Sequence, residues 1–292
     1  EKVYRKVAFD IVKEHGEEVF PEPSSEAETK PSPTSAKNES IQVTKQERSP
    51  MAVPPKVSVV INEEQLRDYL GPPIYHKDRM YTNTMPAGVA LGLGYLGNGS
   101  GSLMPIETTL MPGKGNLHLT GKLGDVIKES ASIALSWVKS HAYELGLTKE
   151  PGDTLLDHRD VHLHMPEGAI GKEGPSAGVA FAVSLISLLT DRSLPTKLAM
   201  TGEVSLRGMV LPVGGLKEKL LAAHRAGITT VILPAHNRPS VEADVPKSVL
   251  DDLEVHYVTN VWAALDVAFG HGPWSAQARV WSSNETPEAA SQ

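Results

Sequence analysis

A serine and a lysine in this chain each lie in a glycine-rich segment that could support nucleophilic chemistry. Ser176 lies in residues 174–178, Gly-Pro-Ser-Ala-Gly, directly before an apolar run with helical spacing. Lys219 follows 43 positions later (219 − 176) and ends residues 214–219, Gly-Gly-Leu-Lys-Glu-Lys. A hydroxyl becomes a good nucleophile when a base removes its proton, and a lysine amine can be that base when burial lowers its pKa. The pair therefore predicts a Ser-Lys hydrolase site.

The residues around Lys219 place it on the apolar side of a predicted helix. Four positions share one face at the helical spacing i, i+3, i+4, i+7: Leu216, Lys219, Leu220 and Ala223. Lys217 falls toward solvent on the same helix. A lysine on an apolar face either extends along the edge of that face or is buried. Its pairing with a glycine-flanked serine favours burial and a catalytic role.

The serine segment has two structural interpretations. It matches Gly-x-Ser-x-Gly, the nucleophile elbow of α/β-hydrolases, in which a strand turns directly into a helix. The predicted strand 161–165, however, ends eleven positions before Ser176 (176 − 165). A helix over 175–189 that begins at Pro175 fits better, because proline is favoured in the first turn. An alternative role for Ser176 is to cap that helix and nothing more.

The start of such a helix can also hold an anion. Its first backbone amides are unpaired, and the helix dipole is positive at this end. The candidate oxyanion hole is therefore a set of backbone amides, those of Gly174, Ser176 and Ala177.

Composition narrows the class of protein. The 292 residues are 40% hydrophobic and 22% charged, as in ordinary globular domains. The net charge of −7 and the scattered basic residues argue against a nucleic-acid-binding surface. The absence of cysteine excludes a disulfide scaffold, a thiol nucleophile and cysteine-bound zinc. No apolar run reaches the roughly 18 residues of a membrane span, so no membrane contact is predicted.

The sequence divides into four segments. Residues 1–15 have helical spacing and look like the last helix of a preceding domain, so the chain is expected to be a fragment. Residues 16–56 are rich in proline and serine and predict a disordered insert. Residues 57–270 form the folded domain, which starts with a strand over 57–61 and a helix that Asn62 caps. Residues 271–292 are a polar tail.

The folded domain has the pattern of an α/β protein, or of α+β by a stricter definition. Residues 87–120 alternate and contain glycine turns, which predicts an antiparallel β-meander. A long amphipathic helix over 124–146 follows. The remaining elements alternate: strand 161–165, helix 175–189, strand 197–201, helix 215–226, strands 229–233 and 255–258, and helix 261–269.

Four blocks in this order closely resemble the proteolytic domain of Lon, the ATP-dependent protease family. They are residues 166–168 (Pro-Glu-Gly), 172–178 (Lys-Glu-Gly-Pro-Ser-Ala-Gly), 200–203 (Met-Thr-Gly-Glu) and 211–219 (Leu-Pro-Val-Gly-Gly-Leu-Lys-Glu-Lys). The resemblance covers about residues 57–270 and implies the Lon proteolytic-domain fold. It also implies that Ser176 is the nucleophile, Lys219 the general base, and Thr201 the hydroxyl that orients the lysine amine. Residues 1–15 resemble the end of the preceding ATPase module.

Further residues are assigned to the cleft, the glutamates from the matching blocks and the histidines from their spacing on one strand. Glu173 stands three positions before the serine, where the family commonly has aspartate. His162 and His164 point to one face of a strand, because side chains alternate along it. Neither belongs to a Glu-x-x-His pattern, so no metal is expected and both are assigned to lining or supporting the cleft. Glu203 is assigned a supporting position.

The resemblance also predicts partners and location. The phosphate-binding pattern Gly-x-x-x-x-Gly-Lys-Ser/Thr does not occur, so no cofactor is expected here, and ATP and Mg belong to the ATPase module of the parent chain. The expected substrates are unfolded or damaged proteins, and the expected assembly is a hexameric ring. Residues 134–137 and 168–173 resemble the peroxisomal branch more than the mitochondrial one. The last residues lack Ser-Lys-Leu, so a mitochondrial matrix stays an alternative.

Two rival functions remain from the sequence. One is a Ser-His-Asp hydrolase that uses His224 or His236. The other is a non-catalytic ring or chaperone-like module on the same fold. The presence of both Ser176 and Lys219 argues against the second rival.

Overall fold

The computed structural model describes residues 2–19, 57–62, 65–71, 81, 83–96, 99–166 and 172–277, which belong to two compact units. The first unit is Glu1–His76 and the second is Lys77–Gln292. The predicted insert 16–56 and tail 271–292 lie mostly outside the described residues, as do residues 167–171. The four predicted segment boundaries stay predictions.

The described residues of the first unit form two helices, α1 (Lys2–Val19) and α2 (Leu66–Leu70). The side chain of Asn62 accepts a hydrogen bond from the Gln65 amide at 3.1 Å, which orders the turn before α2. Gly71 follows α2 with a φ of 85°, a conformation that ends a helix and favours glycine.

The strand predicted over residues 57–61 is wrong. These residues form no strand, and Val59 and Val60 are 46% and 79% exposed. A run of β-branched residues becomes a strand only when a neighbouring strand pairs with it. No residue that the structure describes pairs with this run.

The second unit confirms the predicted α/β class. Its strands are β1 (Val89–Leu96), β2 (Ser100–Pro112), β3 (Leu117–Thr120), β4 (Arg159–His164), β5 (Leu198–Met200), β6 (Glu203–Val204), β7 (Val210–Leu211), β8 (Thr230–Pro234) and β9 (Glu254–Val258). Seven of them form one sheet in the order β3-β4-β2-β1-β5-β8-β9, and β6 pairs with β7 in a separate hairpin. The helices are α3 (Asp125–Ser140), α4 (Gly178–Thr190), α5 (Leu216–Arg225), α6 (Arg238–Asp244), α7 (Lys247–Leu250) and α8 (Val261–Phe269).

The β-meander is confirmed only in part. Strands β1 and β2 pair in antiparallel, but β3 pairs in parallel with β4, which lies between β3 and β2. The carboxylate of Asp160 on β4 stabilises this arrangement, because it accepts hydrogen bonds from His118 and from the amides of Lys114 and Asn116 at 2.7–2.8 Å. These bonds hold the pKa of Asp160 well below its ordinary value.

Helices cover both faces of the sheet, and α4 and α5 lie on opposite sides of β2. Thr108 contacts Ser184 of α4, and a Cβ on Gly101 would lie 2.1 Å from the backbone oxygen of Glu218 in α5. Because odd and even residues of a strand point to opposite faces, Gly101 lets α5 approach β2 on the other face. None of the described helices is long and apolar enough to span a membrane.

Candidate active site

Ser176 lies in a turn that precedes helix α4. The amide of Gly178 donates to the Pro175 carbonyl at 3.2 Å, which closes the turn, and the helix starts at Gly178. The prediction of a helix from Pro175 is therefore wrong by three residues. The reason is that Gly202 and Thr201 hold the Ser176 carbonyl from outside the helix. Residues Gly178–Ser187 of α4 are all buried, so the turn is fixed to a rigid element.

Lys219 is buried, as the helical spacing predicts. Only 2% of its surface is exposed, whereas Lys217 lies on the exposed side of α5. Two glycines make this burial possible. Gly215 has a φ of 68° at the start of α5 and lies against the Tyr95 ring, and Gly101 lets the helix backbone touch β2.

Burial changes the ionisation of the lysine. Desolvation lowers the pKa of the Lys219 amine from 10.5 to about 8, because the charged form loses its hydration in the protein interior. A lysine with this pKa is partly neutral near physiological pH. Lys219 can therefore accept a proton, which an ordinary surface lysine does poorly at that pH.

Thr201 connects the lysine to the serine turn. Lys219 Nζ donates to Thr201 Oγ1 at 3.1 Å, and Thr201 Oγ1 donates to the Ser176 carbonyl at 3.1 Å. The amide of Gly202 donates to the same carbonyl at 2.8 Å. The structure thus brings Ser176, Thr201 and Lys219 together. In the described part of the chain, no hydrogen bond joins Ser176 Oγ directly to Lys219 Nζ.

Within the described residues, neither of the two glutamates assigned to the cleft hydrogen-bonds to Ser176, Thr201 or Lys219. The side chain of Glu173 occupies the space beside Gly124, where a Cβ would lie 1.9 Å from the nearer carboxylate oxygen. Gly124 precedes α3, so the negative carboxylate lies at the positive end of that helix. Glu203 is the half-buried first residue of β6 and follows Gly202 directly.

The histidines form separate contacts. His162 Nε2 and His164 Nδ1 both hydrogen-bond to Thr120 Oγ1, at 2.9 and 2.7 Å. Their polar contacts thus lie on β3 rather than on the serine turn. His224 pairs with Asp252 at 2.8 Å, and His236 is exposed. Within the described ranges, neither His224 nor His236 hydrogen-bonds to Ser176.

No group of three histidine, cysteine or acidic side chains that could hold a metal ion occurs in the residues that the structure describes.

Sequence reasoning missed Ser130. It lies in α3, is 4% exposed, and its hydroxyl donates to the Pro175 carbonyl at 3.2 Å. Ser130 follows Ile127 by three positions and so stands in the apolar stripe of the helix. A serine in that stripe was the available signal, but its partner becomes visible only in the tertiary structure.

The Thr201 hydroxyl is expected to contribute to stability. Valine has a similar shape, so Thr201→Val would remove both hydrogen bonds and leave the buried amine and the Ser176 carbonyl each short of a partner. The expected loss is about 1–3 kcal/mol in the free energy of unfolding. Urea unfolding at pH 7 measures it, and Thr201→Ser, which keeps the hydroxyl, is the matched control. If the valine variant were as stable as the wild type, the two hydrogen bonds that bridge Lys219 and the Ser176 carbonyl through Thr201 would contribute little to stability.

The arrangement has the components of nucleophilic acyl transfer. The Ser176 hydroxyl lies in the turn before a buried helix, and a partly neutral amine lies one hydrogen-bonded residue away. In the described part of the chain, the Ser176 and Ala177 amides have no acceptor, so both stay candidate donors to an oxyanion. A hydroxyl, a base and oriented amide donors are the groups that serine hydrolases use.

Comparisons with known proteins place this chain in a family. Residues 60–271 match the model of the Lon protease (S16) C-terminal proteolytic domain. A protein from Xenopus laevis named peroxisomal Lon protease homolog 2 is 43% identical over 268 residues, 91% of this chain and 30% of the relative. Proteins of the same name from Oryza sativa subsp. indica and Mus musculus are 47% and 44% identical over 73% and 81% of this chain. The chain thus spans less than a third of the length of each of these relatives, 30%, 24% and 27% respectively.

Proposed function

Because the chain belongs to the Lon protease (S16) family of serine peptidases, we propose that its second unit is a serine endopeptidase domain with a Ser-Lys dyad. Ser176 is the nucleophile and Lys219 is the general base. The observation that carries the proposal is the buried amine of Lys219, which has a pKa of about 8 and reaches the serine turn through Thr201.

The reaction begins when neutral Lys219 takes the proton of Ser176 Oγ. The serine oxygen then bonds to the carbonyl carbon of the scissile peptide, and the carbonyl oxygen becomes an oxyanion. The amides of Ser176, Ala177 and Gly174 donate to that oxyanion. The Lys219 ammonium next gives its proton to the leaving amine, which breaks the peptide bond and leaves an acyl-enzyme. Lys219 then activates a water molecule that hydrolyses the ester.

The dyad must tighten for this reaction. In the structure the Lys219 amine donates to Thr201 rather than to the Ser176 hydroxyl. Catalytic hydrogen bonds are often long or misaligned without substrate and shorten in the reacting complex. The Ser176 hydroxyl must therefore come within hydrogen-bonding distance of the amine in the reacting complex, and the bond from Thr201 to the backbone carbonyl of Ser176 can persist meanwhile.

The proposal extends to the protein as a whole. We propose that the whole protein is an ATP-dependent protease that degrades misfolded or damaged proteins in an organelle matrix and assembles as a hexameric ring. ATP and Mg bind in a separate ATPase module, and the segment in hand needs no cofactor. The relatives' names include the word peroxisomal, which supports a peroxisomal matrix over a mitochondrial one. A size measurement in solution tests the ring, and fluorescence imaging of the tagged protein tests the location.

Labelling by a fluorophosphonate tests the dyad, since this probe reacts with activated serines. With a pKa of about 8, the neutral fraction of Lys219 is about a tenth at pH 7 and about nine tenths at pH 9. The labelling rate of Ser176 is therefore expected to rise about tenfold between these pH values and then level off. Peptide mapping locates the label, and the exposed Ser132 is the internal control.

Two outcomes would contradict the proposal. If Ser132 were labelled as fast as Ser176, the serine would not be activated. If the rate instead followed a group with a pKa near 6.5, a histidine would be the base, as in the rival Ser-His-Asp site.

A further inference from the structure

Two consecutive peptide groups around the nucleophile are held by hydrogen bonds to their carbonyl oxygens. The Pro175 carbonyl accepts from Ser130 Oγ and from the Gly178 amide, both at 3.2 Å. The Ser176 carbonyl accepts from Thr201 Oγ1 at 3.1 Å and from the Gly202 amide at 2.8 Å. Each carbonyl therefore has one side-chain donor and one backbone donor.

Because a peptide group is planar, a hydrogen bond that holds its carbonyl also fixes the direction of its N–H. The carbonyl of one residue and the N–H of the next belong to one rigid plane, and in a trans peptide they point in opposite directions. Holding the Pro175 carbonyl thus fixes the direction of the Ser176 N–H. Holding the Ser176 carbonyl likewise fixes the direction of the Ala177 N–H. These two amides are the central donors of the proposed oxyanion hole.

The two side-chain donors come from different parts of the fold. Thr201 follows β5 and also binds the lysine amine, so its role is already coupled to the base. Ser130 belongs to α3, a separate helix, and within the described residues its hydroxyl hydrogen-bonds only to the serine turn. A Cβ on Gly178 would lie 3.2 Å from Ser130 Oγ, which shows how closely α3 lies against the turn.

We infer that Ser130 is a positioning residue for the oxyanion hole, which it aligns through the carbonyl of Pro175; this rests on the proposed function. Without its hydroxyl, the peptide between Pro175 and Ser176 keeps only the Gly178 amide as a partner. That peptide can then tilt, and the Ser176 N–H leaves the direction in which the oxyanion forms. The loss concerns the transition state and not substrate binding, because the oxyanion does not exist in the bound substrate.

The test uses Ser130→Ala in the 292-residue chain with a fluorogenic peptide substrate. The expected result is a roughly tenfold fall in kcat with an unchanged KM. A peptide aldehyde, which forms a tetrahedral adduct with the serine, should lose affinity by the same factor. The corresponding peptide without an aldehyde should bind as before. Ser184→Ala is the matched control, because Ser184 is also buried in a helix and donates to a backbone carbonyl, that of Gly88, at 2.9 Å.

Two further variants make the outcome decisive. Ser130→Cys keeps the shape of the side chain but is a weak donor, so it should show the same loss if Ser130→Ala fails to fold. An unchanged kcat in these variants, or equal losses for the aldehyde and the plain peptide, would overturn the inference. Ser176→Ala distinguishes a failure of the proposed function from a failure of the role assigned to Ser130. If it stays active, the proposed function fails; if it is inactive while both Ser130 variants behave as wild type, only the role of Ser130 fails.

Discussion

Replacing Lys219 with methionine is expected to abolish peptide hydrolysis and, at pH 7, to stabilise the fold. Methionine fills a similar volume but cannot accept the serine proton, so turnover should fall by about 10³-fold or more. The second effect follows from the cost of burying an ammonium group. A pKa lowered from 10.5 to about 8 corresponds to about 3 kcal/mol between the two protonation states. The methionine variant avoids this cost but loses the bond to Thr201, so a net gain of about 1–3 kcal/mol is expected.

The pH dependence of that gain has a defined sign. The pKa of Lys219 is lower in the folded than in the unfolded protein, so the unfolded chain binds more protons between pH 8 and 10.5. Wild-type stability from this group therefore increases as the pH rises through that window. The methionine variant has no such proton, so its advantage at pH 7 should shrink at pH 10.

Urea unfolding at both pH values and a fluorogenic peptide assay measure the two effects. Lys217→Met is the matched control, because Lys217 lies two residues earlier on the exposed side of the same helix. It should change neither activity nor the pH dependence of stability. Hydrolysis by Lys219→Met would remove the lysine from the mechanism. If the difference in unfolding free energy between wild type and Lys219→Met were the same at both pH values, burial of the Lys219 ammonium would not destabilise the fold.

The burial of Lys219 could be predicted because it depends on local periodicity. Leu216, Lys219 and Leu220 share a helix face, and any packing of that face against the sheet buries the lysine. The depth of burial could not be predicted. It depends on Gly101, which is 118 positions away in sequence (219 − 101) and lets the helix backbone touch β2.

The strand pairing shows the opposite case. Alternation predicts that residues 117–120 form a strand, but not which strand lies beside it. The carboxylate of Asp160 stabilises the observed pairing, because it binds the turn before β3 and so holds β3 beside β4. A tertiary contact of a single side chain has no periodic signal in the sequence.

The residues around the nucleophile divide in the same way. Ser176, Thr201 and Lys219 stand in segments with recognisable patterns, and the structure brings these three together. The prediction that Glu173 lines the cleft stays a prediction, and the structure places its carboxylate in the space that Gly124 leaves open before α3. That position depends on the absence of a side chain on another element, which a pattern around Glu173 cannot reveal.

Replacing Ser176 with alanine is expected to remove hydrolysis without disturbing the network that surrounds it. Thr201 and Gly202 bind the backbone carbonyl of residue 176 and not its side chain. Alanine keeps that carbonyl, so the bridge to Lys219 and the lowered lysine pKa should both persist. Turnover should fall by about 10³-fold or more, since the substrate then lacks a nucleophile while the oxyanion donors remain.

The measurement pairs activity with stability. The free energy of unfolding should stay within about 0.5 kcal/mol of wild type, because Ser176 is half-buried and its hydroxyl supports no described element. Ser132→Ala, on the exposed side of α3, is the control for serine removal in general. An inactive but equally stable variant assigns the chemistry to the hydroxyl itself. Loss of activity together with stability would instead make Ser176 a structural residue of the turn, since the same substitution would then disturb Thr201 and Lys219.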